Sequence, residues 1–269
     1  MPELNEVRYT ESASVGAIKK FFQFLTKMYL DEASVEWPPE GGWPMITEGA
    51  FGSLGKSDIV ISLLRQIPYL RHLDLPEWER PQGAPGANFC NWTKYTKGNE
   101  SVDPAKEYGL TMLTEGSVSF ATTPFIIGLM EGGRDSPLVV LDTKYGIAYW
   151  PECPDEIRHE TSQEQVQDDC DAWASQEEAN WRCDAPAWTI PDFFAMLREQ
   201  FEQLRFIPVN SRQVIDSYSG YSDDGEMESM LQRIYQEHGW PDLEHYKKEE
   251  CIQAVEQALA EQYPDFELS

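Results

Sequence analysis

The run Leu138-Val-Val-Leu-Asp142 constrains the fold more than any other stretch of the chain. Successive side chains of a strand point to opposite faces, so four apolar residues in a row make both faces hydrophobic. Such a strand belongs in the middle of a sheet. Asp142-Thr-Lys-Tyr-Gly146 follows it, and Gly146 can supply the positive φ of a tight reversal. Ile147-Ala-Tyr-Trp150 then reads as the returning strand of a β-hairpin. Ser117–Ala121 and Pro124–Met130 are further strand candidates, on their β-branched and aromatic content. The expectation is an α+β fold with a central, mostly antiparallel sheet over about 117–150, packed by helices.

Helical spacing surrounds this region. Val15, Ile18, Phe22, Leu25 and Tyr29 recur every three or four residues and predict a helix over about 14–30, capped by Ser12 or Ser14. Ser57 and Asp58 suit the start of a second helix, with Val60, Leu63, Leu64 and Ile67 on its buried face and Pro68 as its limit. A third is expected over about 190–205. Thr189 can cap it, Pro191 sits early, Phe193, Phe194, Leu197, Phe201 and Leu204 form its core face, and Pro208 closes it. Met227, Met230, Leu231 and Ile234 mark a fourth, which Gly239-Trp-Pro-Asp242 ends. Ile252, Val255 and Leu259 mark a fifth, to about Tyr263. Residues 74–108 carry little periodicity and read as a long irregular stretch. The domain reading is one α+β unit over 1–215, with a C-terminal helical hairpin over 226–269 packed on it.

Charge is distributed unevenly along the 269 residues. The total is −26, of which residues 1–150 contribute −6 and residues 151–269 contribute −20. Residues 151–181 hold ten acids and one arginine. They read as an exposed helix or a mobile acidic insertion. Phosphate backbones and anionic membranes repel such a surface, which disfavours nucleic acid and membrane as partners. A basic protein partner or a cationic small molecule fits better; the charge also serves solubility. Cys90, Cys153, Cys170, Cys183 and Cys251 are widely spaced with no CxxC, so no disulfide framework is expected. The first residues lack the pattern of a secretory leader, and no apolar run approaches the ~18 residues of a membrane span. The expected location is the cytoplasm or nucleus.

Searches for chemistry return little. Gly128-Leu-Met-Glu-Gly-Gly133 matches no phosphate-loop or dinucleotide spacing. His72, His159, His238 and His245 are poorly placed for zinc, so no metal and no cofactor are expected. Gly220-Tyr-Ser-Asp-Asp224 fails the nucleophile-elbow pattern at its last position. Two constellations stand out. Asp142 and Tyr145 at the hairpin tip could form an acid/base pair if they lined a pocket, whereas an Asp-Thr turn usually bonds its own backbone. Trp37, Trp43, Trp78 and Trp92, with Arg65 and Tyr69 near them in sequence, suit either an interaction hot spot or loops packed on the core.

Several phrases together carry a resemblance. Trp37-Pro-Pro-Glu-Gly-Gly-Trp-Pro44, Ser57-Asp-Ile-Val-Ile-Ser-Leu-Leu-Arg-Gln-Ile-Pro-Tyr69, Val139–Gly146 and Tyr235–Asp242 with Lys248–Cys251 resemble a large group of uncharacterised proteins from filamentous fungi. Phe125–Met130, Gly132-Gly133, Leu138–Asp142, Gly146–Trp150 and Phe193–Leu204 also look like the second half of the SUKH superfamily. That superfamily includes cell-wall-synthesis regulators and toxin-immunity proteins. The resemblance implies a SUKH-like α+β fold and a protein-binding role, with no catalytic residues to carry over. The expected function is an interaction or regulatory module. The alternative is a cofactor-free enzyme, such as a cyclase or isomerase of fungal secondary metabolism, with an aromatic-lined pocket.

Overall fold

The computed structural model describes residues 1–71, 79–99, 104–116, 118, 123–132, 136–220 and 225–266, with backbone alone at 97–99 and 104–108. In chain order it runs α1 (Glu11–Met28), β1 (Val35–Glu36), α2 (Glu48–Phe51), α3 (Asp58–Gln66), β2 (Tyr69–Leu70), β3 (Asn88–Phe89) and α4 (Pro104–Glu115). Then follow β4 (Ile126–Gly128), β5 (Met130–Glu131), β6 (Val140–Asp142), β7 (Ile147–Tyr149), α5 (Asp155–Glu160) and α6 (Gln176–Arg182). The remainder is β8 (Ala187–Thr189), α7 (Ile190–Glu202), β9 (Phe206–Pro208), β10 (Val214–Asp216), α8 (Glu226–Glu237) and α9 (Lys248–Gln262). The class is α+β, with small antiparallel sheets packed against helices. Among the described residues no helix is long and apolar enough to cross a membrane.

The largest sheet has the antiparallel order β4-β6-β7-β8. The all-apolar strand is therefore internal, as its two hydrophobic faces require. Its register pairs Ile126 with Asp142, Asp142 with Ile147, and Ile147 with Thr189. The hairpin turns at Gly146, with φ +79°, and Gly146 N–H donates to the Asp142 carbonyl at 2.8 Å. A Cβ on Gly146 would stand 2.8 Å from Tyr9 Cα, so the N-terminal segment also crosses close over this turn.

Alternation sorts the sheet into two faces. Ile127, Leu141, Ala148 and Trp188 join the main core, which α1 and α7 build with Phe21, Leu25, Phe193 and Phe201. Ile126, Val140, Ile147, Tyr149 and Ala187 form a second, smaller core with Val7, Val166 and Ala185. Part of what lies over this second face, Val166 and Trp181 among it, comes from the acidic stretch, called the cover below. Val166 N–H bonds the Ala187 carbonyl at 2.7 Å, and Leu4 N–H bonds the Gln167 carbonyl at 2.9 Å. Thr161 Oγ1 donates to Glu199 of α7 at 2.8 Å. The acidic stretch is thus folded: α5 packs through Ile157 on the main core, Cys170–Ala172 forms a 3-10 turn, and Val166 and α6, through Trp181, pack on the second face.

Several sequence expectations change. Helix α1 starts a turn earlier than expected: Thr10 is its N-cap and Ser14 is buried inside it. Ser57 and Thr189 cap as expected, their hydroxyls accepting from Val60 N at 3.4 Å and Asp192 N at 3.2 Å. Helix α4 begins inside the stretch expected to be irregular. Strand β8 escaped notice because its three residues directly abut the Thr189 cap. Pro208 does not close α7. The helix ends at Glu202, and Pro208 pairs with Val214 in a β9–β10 hairpin. The expected strand Ser117–Ala121 lies outside the described residues except for Val118, which is buried against the second face. No disulfide framework was expected, yet Cys170 and Cys183 form a disulfide.

Helices α8 and α9 contribute Met227, Leu231, Tyr235, Cys251 and Val255 to the same core as α1 and α7. Polar tips tie them down. Tyr235 Oη donates to the Pro208 carbonyl at 2.9 Å, Trp240 Nε1 to that of Phe201 at 3.1 Å, and Lys248 Nζ to that of Leu30 at 2.7 Å.

Candidate functional site

Asp142 points to the covered face of the sheet, between Ile126 and Ile147 in register, and is fully buried. A lone carboxylate there would be costly, so it needs charge-compensating partners. Its Oδ1 accepts from the amides of Lys144 at 2.9 Å and Tyr145 at 3.3 Å. Its Oδ2 lies 2.9 Å from Arg182 Nη2, and the arginine side chain is 1% exposed. Burial pushes the Asp142 carboxyl above its ordinary range; Arg182 and the two turn amides pull it down without cancelling that rise.

Arg182 reaches the sheet from the end of α6. Its Nε donates to Glu178 Oε2 at 3.0 Å, one helical turn earlier. Its guanidinium lies 4.6 Å from the ring centre of Trp181, 5.2 Å from Tyr149 and 5.3 Å from Trp173. Cations over aromatic faces are stabilised by the ring quadrupole, the more so when water is excluded. Tyr145 stands against Trp173, with ring centres 5.0 Å apart. The hairpin tip is therefore an ion-paired lock between sheet and cover. Asp142 takes the turn role, and Tyr145 is the half-buried rim of the lock.

The aromatic set divides. Trp37 is 39% exposed. Trp43 is half-buried; its Nε1 donates to the Ile67 carbonyl at 2.9 Å and its ring packs on Tyr69. Gly42 has φ +81°, and a Cβ there would meet the Arg65 carbonyl oxygen at 2.5 Å. The 37–44 loop thus lies tight against the end of α3, where Arg65 Nη2 donates to the Gly41 carbonyl at 3.3 Å. Tyr69 and Trp92 are interior residues, bonded to the carbonyls of Leu64 and Gly128. Trp78 lies outside the described residues. Trp37 is on the surface, Trp43 packs half-buried against the core edge, and Tyr69 and Trp92 belong to the core.

A second buried charge cluster gives no sign of itself in the sequence. Glu131 in β5 accepts from Lys94 Nζ and, at 2.9 Å, from Tyr95 Oη; Arg80 Nη1 lies 3.9 Å away. Lys56 pairs with Glu115 at 2.5 Å, with both side chains at most 5% exposed. The Cys90 thiol sits near both acids, and burial together with Glu131 pushes it well up. The partners come from segments 36 to 59 residues apart, so no local motif could reveal them.

A cleft of about 530 Å³ lies nearby, lined among others by Met112, Thr114, Met130, Leu138 and Glu152. Glu131, Asp142 and Tyr145 are not in its lining, so the buried acids and the cleft are separate. Among the described residues no group of three or more His, Cys, Asp or Glu side chains is placed to hold a metal ion. No protein-family model, no curated protein and no solved structure matches this chain.

Proposed function

We propose that the chain is an interaction module of the fungal cytoplasm or nucleus that docks a basic protein partner on the acidic cover. One observation carries this reading. The cover buries Ile157, Val166, Cys170 and Ala179 against the fold and turns Asp155, Glu156, Asp169, Asp171, Glu177 and Asp184 outward. In the same segment Trp173 is 37% exposed, and its Nε1 donates to Asp168 Oδ1 at 2.7 Å. An aromatic anchor in a held field of one sign suits recognition of a lysine- or arginine-rich surface, and it costs less ordering on binding than a loose acidic tail. The sequence resemblance of Phe125–Met130, Leu138–Asp142, Gly146–Trp150 and Phe193–Leu204 to the SUKH superfamily, with the protein-binding role it implies, supports the same reading. The enzyme alternative asks for an aromatic-lined pocket with a carboxylate. Glu152 lines two clefts: one of about 530 Å³ with Met112, Met130 and Leu138, and one of about 360 Å³ in which Trp150, Phe206 and Tyr218 stand with Asp216, the ground on which the enzyme alternative rests.

Calorimetric titration with an arginine-rich peptide tests the reading. Heat should appear at low salt and fade as salt rises. Reversing Asp169, Asp171 and Glu177 to lysine should weaken binding at least tenfold. Reversing Glu249, Glu250 and Glu256 on α9 changes the net charge equally and should cost much less. Equal losses in the two triples, or no heat at low salt, would defeat the proposal.

A further inference from the structure

The cover carries a cross-link that its fold does not require. Cys170 and Cys183 are bonded across a separation of 13 residues, with Cα atoms 5.8 Å apart. A chain of this size with a continuous apolar core does not need a short-range staple to fold. The bond closes only the loop that contains α6, and the rest of the molecule lies outside it. Its two ends differ in access: Cys170 is 2% exposed, whereas Cys183 is exposed at the end of α6. Exposed disulfides are the ones that thiols reach.

The position of the bond matters more than its existence. Cys183 directly follows Arg182, the residue paired with Asp142. Cys170 opens the 3-10 turn that presents Trp173, whose Nε1 donates to Asp168 Oδ1 at 2.7 Å. Trp173 and Trp181 are two of the three aromatic walls around the guanidinium. The disulfide therefore ties the wall on the Cys170 side to the arginine on the Cys183 side. With the bond cut, the local ties left include the Ser175 cap and the Ala174 N–H bond to the Cys170 carbonyl at 2.9 Å. Water would then reach the pair, and the attraction that holds cover to sheet weakens as the surrounding dielectric rises.

We propose that Cys170–Cys183 is a reversible thiol–disulfide exchange site, acted on by a dithiol reductant, and that it latches the cover over the Asp142–Arg182 pair. A thiolate of the dithiol attacks Cys183 Sγ and forms a mixed disulfide. The Cys170–Cys183 bond breaks, and its electron pair leaves on Cys170 Sγ, which takes up a proton. The second thiolate of the dithiol attacks its own sulfur in the mixed disulfide and releases Cys183 as a thiolate. Two electrons pass to the protein, and the dithiol becomes a cyclic disulfide. A low-molecular-weight disulfide drives the reverse. The remaining thiols are poor competitors. Burial pushes Cys153 up to about 12 and Cys251 up to about 11, and Cys90 is enclosed in the core. Thiolate is the attacking form, so these three are slow to scramble the pair.

The latch does not depend on the nature of any partner, because its readout is the cover itself. Closing a loop of this length shifts an opening equilibrium by on the order of 100-fold. The full chain is treated with oxidised glutathione or with dithiothreitol under native conditions and alkylated, and hydrogen exchange is followed by mass spectrometry. The oxidised form should take no label at Cys170 and Cys183, and the reduced form should take two. On reduction, amides of 166–185 and of Lys144 and Tyr145 should exchange about 10- to 100-fold faster. Those of α1 and α7 should not change, and reoxidation should restore protection. A Cys170→Ser/Cys183→Ser variant should show the reduced pattern in both conditions; if it does not fold, the wild-type comparison decides alone. The proposal fails if the pair does not oxidise, if it is reduced only in denaturant, or if reduction leaves exchange unchanged.

Discussion

On one face of the four-stranded sheet, Ile127, Leu141, Ala148 and Trp188 meet two long helices that bury six phenylalanines between them. On the other, Ile126, Val140, Ile147 and Tyr149 meet α6, loop segments and the N-terminal segment at Leu4 and Val7. The helical face is held by area. Phe201 alone stacks on Tyr29 and contacts Phe21, Phe24 and Phe206. The cover brings few large side chains, chiefly Trp173 and Trp181, and is held by a buried ion pair, three aromatic rings around an arginine, and a disulfide. An acidic segment has few apolar residues to bury, so it closes a hydrophobic face through a few specific bonds. Those bonds concentrate its stability, and with it its vulnerability, in two or three residues.

The contrast can be broken at either face. Phe201→Ala removes the centre of the helical side and should cost about 4 kcal/mol, read as a lower denaturant midpoint for the whole chain. A loss under ~1 kcal/mol would show that area does not dominate there. Arg182→Met comes next, at about 3 kcal/mol, because it strands Asp142 as an unpaired buried charge. Adding Asp142→Asn should recover most of that loss, since the amide oxygen can still accept from Lys144 and Tyr145. Failure of the double variant to recover would mean that packing of the guanidinium, and not charge compensation, holds the cover. Thr189→Ala should cost about 1 kcal/mol through the α7 cap. Trp37→Ala should change stability by less than ~0.5 kcal/mol, because the side chain is half in water. A larger effect would place the 37–44 loop within the core proper.

Elements with a long period or a strong local signal were readable from the sequence. The central strand and its hairpin follow from Leu138–Gly146, and α3 and α7 follow from Ser57 and Thr189 followed by apolar stripes. Strands of two or three residues were not readable, because β8, β9 and β10 carry too few positions to express alternation. Trp92 looked like a loop residue because Asn, Gly and Pro surround it, yet its ring is interior and its indole meets a carbonyl of β4. The composition of 151–181 favours solvent, and its few apolar residues are too sparse to announce a packed face.

By itself the sequence determined an α+β chain with an internal hairpin, a helix-built core, and an acidity concentrated after residue 150. Those properties are local: they depend on spacing, caps, turns and composition over a few residues. Tertiary structure alone decided that the acidic stretch is a cover, that Asp142 answers to Arg182 forty residues on, and that Cys170 meets Cys183. Burial of a charge and meeting of two sulfurs depend on which segments fold back on one another, and spacing along the chain does not encode that.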